Sequence, residues 1–148
     1  MGKIKYIMYS AFILCIAQVN GQADCMLGVG VTENSVITEV FQLNLAQRDE
    51  LDHLSTELKD RTGKLNKELE DLLNRHPQSN EAEIMQLAGK YKTVMDSLNR
   101  TQTAIDKKML VLFNPKQYEK YRSLCTEAMR SPLRVTPTVY PDSVYTKN

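Results

Sequence analysis

Apolar positions along this chain fall into four stretches separated by short breaks. In the longest, Leu51, Leu54, Leu58, Leu65, Leu69 and Leu72 step by three, four, seven, four and three positions. That is the spacing of one helical face, and it predicts a helix over residues 45–75. His76-Pro77 ends it, because proline disfavours helical backbone in the residue before it. A second long helix is predicted from Asn80, where Asn80 and Glu83 are placed as a capping box. Its stripe is Ile84, Leu87, Tyr91, Val94, Leu98, Ile105, Met109 and Leu112, running to Phe113. Tyr118, Tyr121, Leu124, Cys125, Ala128 and Met129 give an inner face to a third helix. Asn114 opens that helix with Pro115 in its first position, and Ser131-Pro132 closes it. Val36, Ile37, Val40 and Phe41 predict a short helix within 33–41, and the Gly-rich stretch 25–32 reads as an irregular lead-in.

The fold class that follows is all-α: a long antiparallel helical hairpin with shorter flanking helices. The short turn His76–Ser79 makes the long helices fold back on each other, with facing positions adding up to about 155. Leu51 then faces Ile105, Leu58 faces Leu98, and Leu72 faces Ile84. The same register brings Gly63 and Gly89 to one level. Since each costs about 1 kcal/mol inside a helix, a close approach or a bend is expected there, the alternative being two tolerated glycines. Glu57–Arg61, Asp60–Lys64 and Asp71–Arg75 are spaced to pair along the outer face of the first long helix. The helical domain spans residues 24–131. Residues 132–148, with Pro137 and Pro141 and no helical period, read as an extended or disordered tail.

Residues 1–23 read as a secretory signal peptide. Lys3 and Lys5 precede an apolar run, Tyr6 to Ala17, of about a dozen residues, too short to span a bilayer. Gly21 and Ala23 then supply small residues for cleavage after Ala23, and an uncleaved N-terminal anchor is the alternative. The chain is therefore expected to be periplasmic or secreted. Export changes the meaning of the cysteines. Cys15 leaves with the signal, and Cys25 and Cys125 remain in an oxidising compartment, where they are candidates for a disulfide. Two unpaired thiols, or pairing between chains, are the other readings.

Of 148 residues, 42% are hydrophobic, 25% charged and 7% aromatic, with no Trp. That length holds one domain of modest size. Few Gly, Pro and aromatic residues favour helices over a β-sandwich. Nineteen basic against eighteen acidic residues leave +1, with no basic stripe for nucleic acid. There is no G-x-S-x-G, P-loop, G-x-G-x-x-G or H-E-x-x-H, so no enzyme, no cofactor and no small-molecule substrate are expected. His53 has Asp49 and Glu57 on its helical face, but a His between carboxylates on a charged helix is what chance supplies, and no metal site is expected. Asn99-Arg100-Thr101 has the pattern of a glycosylation sequon.

Two segments of the chain match each other. Leu43-Asn44-Leu45-Ala46-Gln47 precedes the first long helix, and Phe113-Asn114-Pro115-Lys116-Gln117 precedes the last. Both read apolar–Asn–x–x–Gln, with an apolar residue (Leu51, Tyr121) four positions beyond the Gln. Asn accepts from an orphan N–H, Gln reaches back, and the apolar residues staple the entry. In an exported helical chain this pair resembles the LTxxQ motifs of the Spy/CpxP family of periplasmic proteins. The phrase Leu112-Phe113-Asn114-Pro115-Lys116-Gln117-Tyr118, followed by Tyr121, is similar to that family's second motif. Asn stands for Thr at both caps, Phe113 stands for Leu in the second motif, and the first motif aligns in more than one way.

The resemblance implies a thin, curved, Spy-like helical hairpin, often a homodimer, that acts as an ATP-independent chaperone on unfolded or partly folded envelope proteins. A metal- or stress-responsive periplasmic regulatory module is the second function it implies. A structural helical envelope protein without client binding is the third reading. Chaperoning needs accessible apolar surface, and Met85, Tyr91, Met95, Met109, Tyr118 and Tyr121 are the candidates for it. Packing in the core or in a dimer seam is the other use for the same residues.

Overall fold

The described part of the computed structural model is residues 23–136, so all but the last residue of the expected signal peptide (1–23), and the chain from 137 onward, lie outside it. Four helices make up 73% of the described residues, and the protein is mostly helical. The short helix α1 (Asn34–Phe41) buries Ile37 and Phe41. It stops at Gln42, which takes a left-handed φ of 50°, and Leu43 N–H donates back to Thr38 O at 3.0 Å. Helix α2 (Leu45–Arg75) opens on Asn44 and ends at His76, one residue before the proline. Helix α3 (Glu81–Val111) opens on Asn80, whose side chain accepts from Glu83 N–H at 3.0 Å. The Glu83 carboxylate reaches one residue further back than expected, accepting from Ser79 N–H at 2.8 Å. None of the helices among the described residues is long and apolar enough to cross a membrane.

Helix α4 (Pro115–Glu127) is shorter than its apolar pattern predicts. Met129 takes a left-handed φ of 53°, and Arg130 N–H donates to Cys125 O at 2.8 Å, which satisfies the last carbonyls and turns the chain sharply. The reversal lets the two-residue strand β2 (Ser131–Pro132) pair in parallel with β1 (Asp24–Cys25). Leu133 is buried in the core and Val135 packs against it. The predicted tail from 132 is thus docked over its first residues. Hydrophobic burial of Leu133 outweighs the absence of any helical period there.

The core lies where the start of α2 meets the end of α3. Leu51, Leu54 and Leu58 join Ile105, Met109, Leu110 and Phe113, and the cluster is closed by Leu27, Val29, Ile37, Phe41, Tyr121 and Leu133. Phe41 and Phe113 stack at a centroid distance of 4.9 Å, tilted 42°. Glu57 of α2 reaches Lys108 of α3 at 2.7 Å and also pairs with Arg61 at 3.5 Å. Asp71–Arg75 pairs at 3.0 Å. Between residues 61 and 101 of the long helices, only Leu87 and Val94 are buried.

The close approach expected at Gly63 and Gly89 does not occur. A Cβ at either position would meet open space, because two helices without a covering layer leave these faces to solvent. Glycine is required elsewhere. Gly30, at φ 73°, lies against Ser55 and Leu58, and a Cβ there would sit 3.3 Å from the Ser55 backbone.

Candidate functional site

Two features stand apart from ordinary helix packing: a polar knot inside the core, and the thinly covered outer parts of the long helices. The knot starts with the two repeated caps. Asn44 Oδ1 accepts from Gln47 N–H at 2.9 Å, and Asn44 N–H donates to Gln47 Oε1 at 3.1 Å. Asn114 and Gln117 make the same box, with both bonds at 2.9 Å. The two glutamines, 70 positions apart, then bond to each other. Gln47 Nε2 donates to Gln117 Oε1 at 2.9 Å, and Gln117 Nε2 donates to Gln47 Oε1 at 3.0 Å. Their remaining N–H groups go to Leu112 O at 2.7 Å and Phe41 O at 3.0 Å. Each amide therefore makes all four of its bonds while buried, which is the condition for a polar pair to stabilise a core. The sequence shows two caps; that they meet is a tertiary fact.

A second buried polar group was not singled out from the sequence. Asp106 is fully buried on α3. Its Oδ2 accepts from Leu27 N–H at 2.8 Å and Gly28 N–H at 3.1 Å, and its Oδ1 from Val29 N–H at 3.0 Å and Gln102 Nε2 at 2.9 Å. Gln102 also donates to Val29 O at 3.0 Å. One carboxylate thus holds three consecutive amides of the lead-in. Positive φ at Gly28 and Gly30 lets the segment curl around it. Burial pushes the Asp106 carboxyl above its ordinary value, while the four donors pull it back. The sequence shows only an acid directly beside Ile105 on an apolar stripe; that the Gly-rich lead-in lies against it is set by the fold.

Tyr121 joins the two ends of the domain. Its hydroxyl donates to Cys25 O and accepts from Leu133 N–H at 2.9 Å. Burial raises its phenol to about 12. Tyr118 donates to Leu133 O at 2.8 Å. A disulfide joins Cys25 and Cys125, with Cα atoms 5.6 Å apart.

The candidate surface residues separate into two groups. Met85 is 68% exposed and Tyr91 37%, both on the outer part of α3, with Met95 half-buried beyond them. Met109 and Tyr121 are corrected: both are buried in the core, Met109 between the long helices and Tyr121 by the bonds just described. Tyr118 is half-buried, its ring 5.9 Å from that of Tyr121. Ile84, expected in the inward stripe facing Leu72, is 51% exposed, and Leu73, not singled out, is 49% exposed; both add to the outer apolar surface. Nearby, an open groove of about 730 Å³ runs between α2 and α3, with Leu72 in it and Lys64, Lys67, Glu68, Asp71 and Lys90 around it. His53 is exposed, 3.8 Å from Glu50, and no three His, Cys, Asp or Glu side chains among the described residues converge on a point that suits a metal ion. Compared with known protein families, curated proteins and solved structures, the chain gives no match.

Proposed function

We propose that the protein is an exported, ATP-independent chaperone-like holder of unfolded or partly folded envelope proteins, built as a Spy-like antiparallel hairpin. The observation that carries this reading is that Leu73, Ile84, Met85 and Tyr91 are exposed on the outer parts of the long helices, where the groove between the helices is lined by charges of both signs. A thin pair of helices buries one stripe poorly, so apolar side chains stay accessible. Interspersed Lys and Glu keep such a surface soluble, and methionine adapts to varied partners. The joined caps support the same reading. They brace one end of the two long helices, which leaves the other end free to offer its surface without loss of the fold. The kinship with the Spy/CpxP family, including its dimeric cradle, belongs to this proposal.

The test is suppression of aggregation of a chemically unfolded client, without nucleotide, at several-fold excess of the protein. The expected result is suppression that weakens severalfold in an Ile84→Ser/Met85→Ser variant whose circular dichroism is unchanged. No suppression by the wild type removes the client-binding reading and leaves the regulatory module and the structural helical protein. Sedimentation of the full chain reports the homodimer directly.

A further inference from the structure

Beyond client binding, the start of the domain is anchored twice, by bonds of different kinds. Asp106 holds residues 27–29 through hydrogen bonds, and the disulfide holds Cys25 against Cys125. Between the lead-in, α1 and α4 lies an apolar cavity of about 210 Å³ whose walls include both cysteines. Val36 and Leu124, which also line it, are exposed, so the cavity has a mouth on the surface. We propose that the Cys25–Cys125 disulfide is a redox latch, reached through this cavity by a dithiol reductant. Its opening loosens only the cluster where the chain ends meet.

The chemistry balances as ordinary thiol exchange. A reductant thiolate attacks one protein sulfur, the S–S bond breaks, and the other cysteine leaves as a thiolate that takes a proton from solvent. The second thiol of the reductant then displaces the first protein sulfur. The protein gains two electrons and two protons, and the reductant closes to a cyclic disulfide. The change stays local because the glutamine pair, the Asp106 bonds and the Phe41–Phe113 contact use no cysteine and lie beyond the latch. What loosens is β1 on β2 and the bond from Tyr121 to Cys25 O, and the apolar walls Ile37, Phe41 and Tyr121 are bared. This inference is independent of whether clients bind.

The experiment treats the oxidised full chain with excess dithiothreitol across a urea series, counting thiols by alkylation and mass. Hydrogen exchange is followed by peptide. Reduction is expected at a rate insensitive to urea below the unfolding transition, with exchange around residues 24–26 and 130–133 faster by about tenfold or more and residues 27–29 and 102–113 unchanged. Reduction that only follows global unfolding, or loss of protection throughout, overturns the proposal. Leu124→Trp, and separately Val36→Phe, fill the cavity mouth and are expected to slow reduction about tenfold. Unchanged rates in both variants overturn the route. The Cys25→Ser/Cys125→Ser protein is expected to keep its helical circular dichroism, and an unfolded double variant overturns the local character of the latch.

Discussion

At the scale of single residues, the tightest constraints are polar. Gln47 and Gln117 make four bonds each inside the core, so truncating either orphans several buried groups at once. Gln47→Ala is expected to cost about 2–4 kcal/mol in urea denaturation, more than a single exposed hydrogen bond is worth. Gln117→Ala should cost a similar amount. The double variant should cost less than the two together by about 0.5–3 kcal/mol, because the first truncation already breaks the shared bonds. Strict additivity would show that the two amides act separately. Tyr121 gives a pH prediction. Its folded value of about 12 lies above the ordinary phenol value of 10.0. Its contribution to stability is therefore fully present below the ordinary value and lost as pH rises through the folded one. The difference in 295 nm absorbance between wild type and Tyr121→Phe should titrate above pH 10.0 in the folded protein. Asp106 obeys the same sign: its raised carboxyl favours the folded state as pH falls, and its carboxyl carbon resonance should titrate above 3.8. The two caps were legible as residue types at the right spacing. Asp106 was not, because a charge beside an apolar stripe looks solvated until the segment that covers it is known.

At the scale of elements, the period of the leucines predicts α2 closely, since a regular stripe of that length has few other folded forms. Helix α4 ends before its apolar pattern does. The apolar pattern continues through Ala128 and Met129, yet the left-handed turn at Met129 stops the helix, and Met129 itself is exposed. Met129→Gly should raise stability by up to about 1 kcal/mol, since glycine takes that backbone without strain. Gly63 and Gly89 lie inside helices with open space where a Cβ would go. Gly63→Ala and Gly89→Ala should each raise the unfolding free energy by about 0.5–1 kcal/mol. A loss at either site would mean that some partner approaches that face. Between α2 and α3, Lys108 lowers the carboxyl of Glu57 below its ordinary value, mainly through their hydrogen bond. The sign is opposite to that of Asp106: the pair stabilises above the ordinary carboxylate value and is lost as pH falls through the lowered one. The stability gap between wild type and Glu57→Gln should therefore close on acidification.

At the scale of the whole molecule, the asymmetry of the core decides what is available for function. One end of the long helices is covered by the lead-in, α1 and α4, and among the described residues all but two of the buried apolar side chains gather there. A disulfide across a sequence separation of 100 closes that end. By loop-closure entropy it is worth about 4–5 kcal/mol, so reduction should lower the urea midpoint markedly without changing the helix content of the folded baseline. Among the described residues no third layer covers the other end, and its apolar side chains remain partly in water. That contrast makes client binding at the outer part testable apart from the fold.

Local pattern alone determined the helices and their caps, because hydrogen-bonded turns and amphipathic spacing act over a few residues. It also singled out the two cysteines that pair. Only the tertiary structure decided that the two caps bond to each other, that Asp106 holds the lead-in, that Met109 and Tyr121 lie inside while Ile84 and Met85 lie outside, and that Leu133 docks. Each of these depends on which segments far apart in the chain share a layer. Periodicity marks a face as apolar, but how much of that face is buried is set by how many neighbours arrive to cover it.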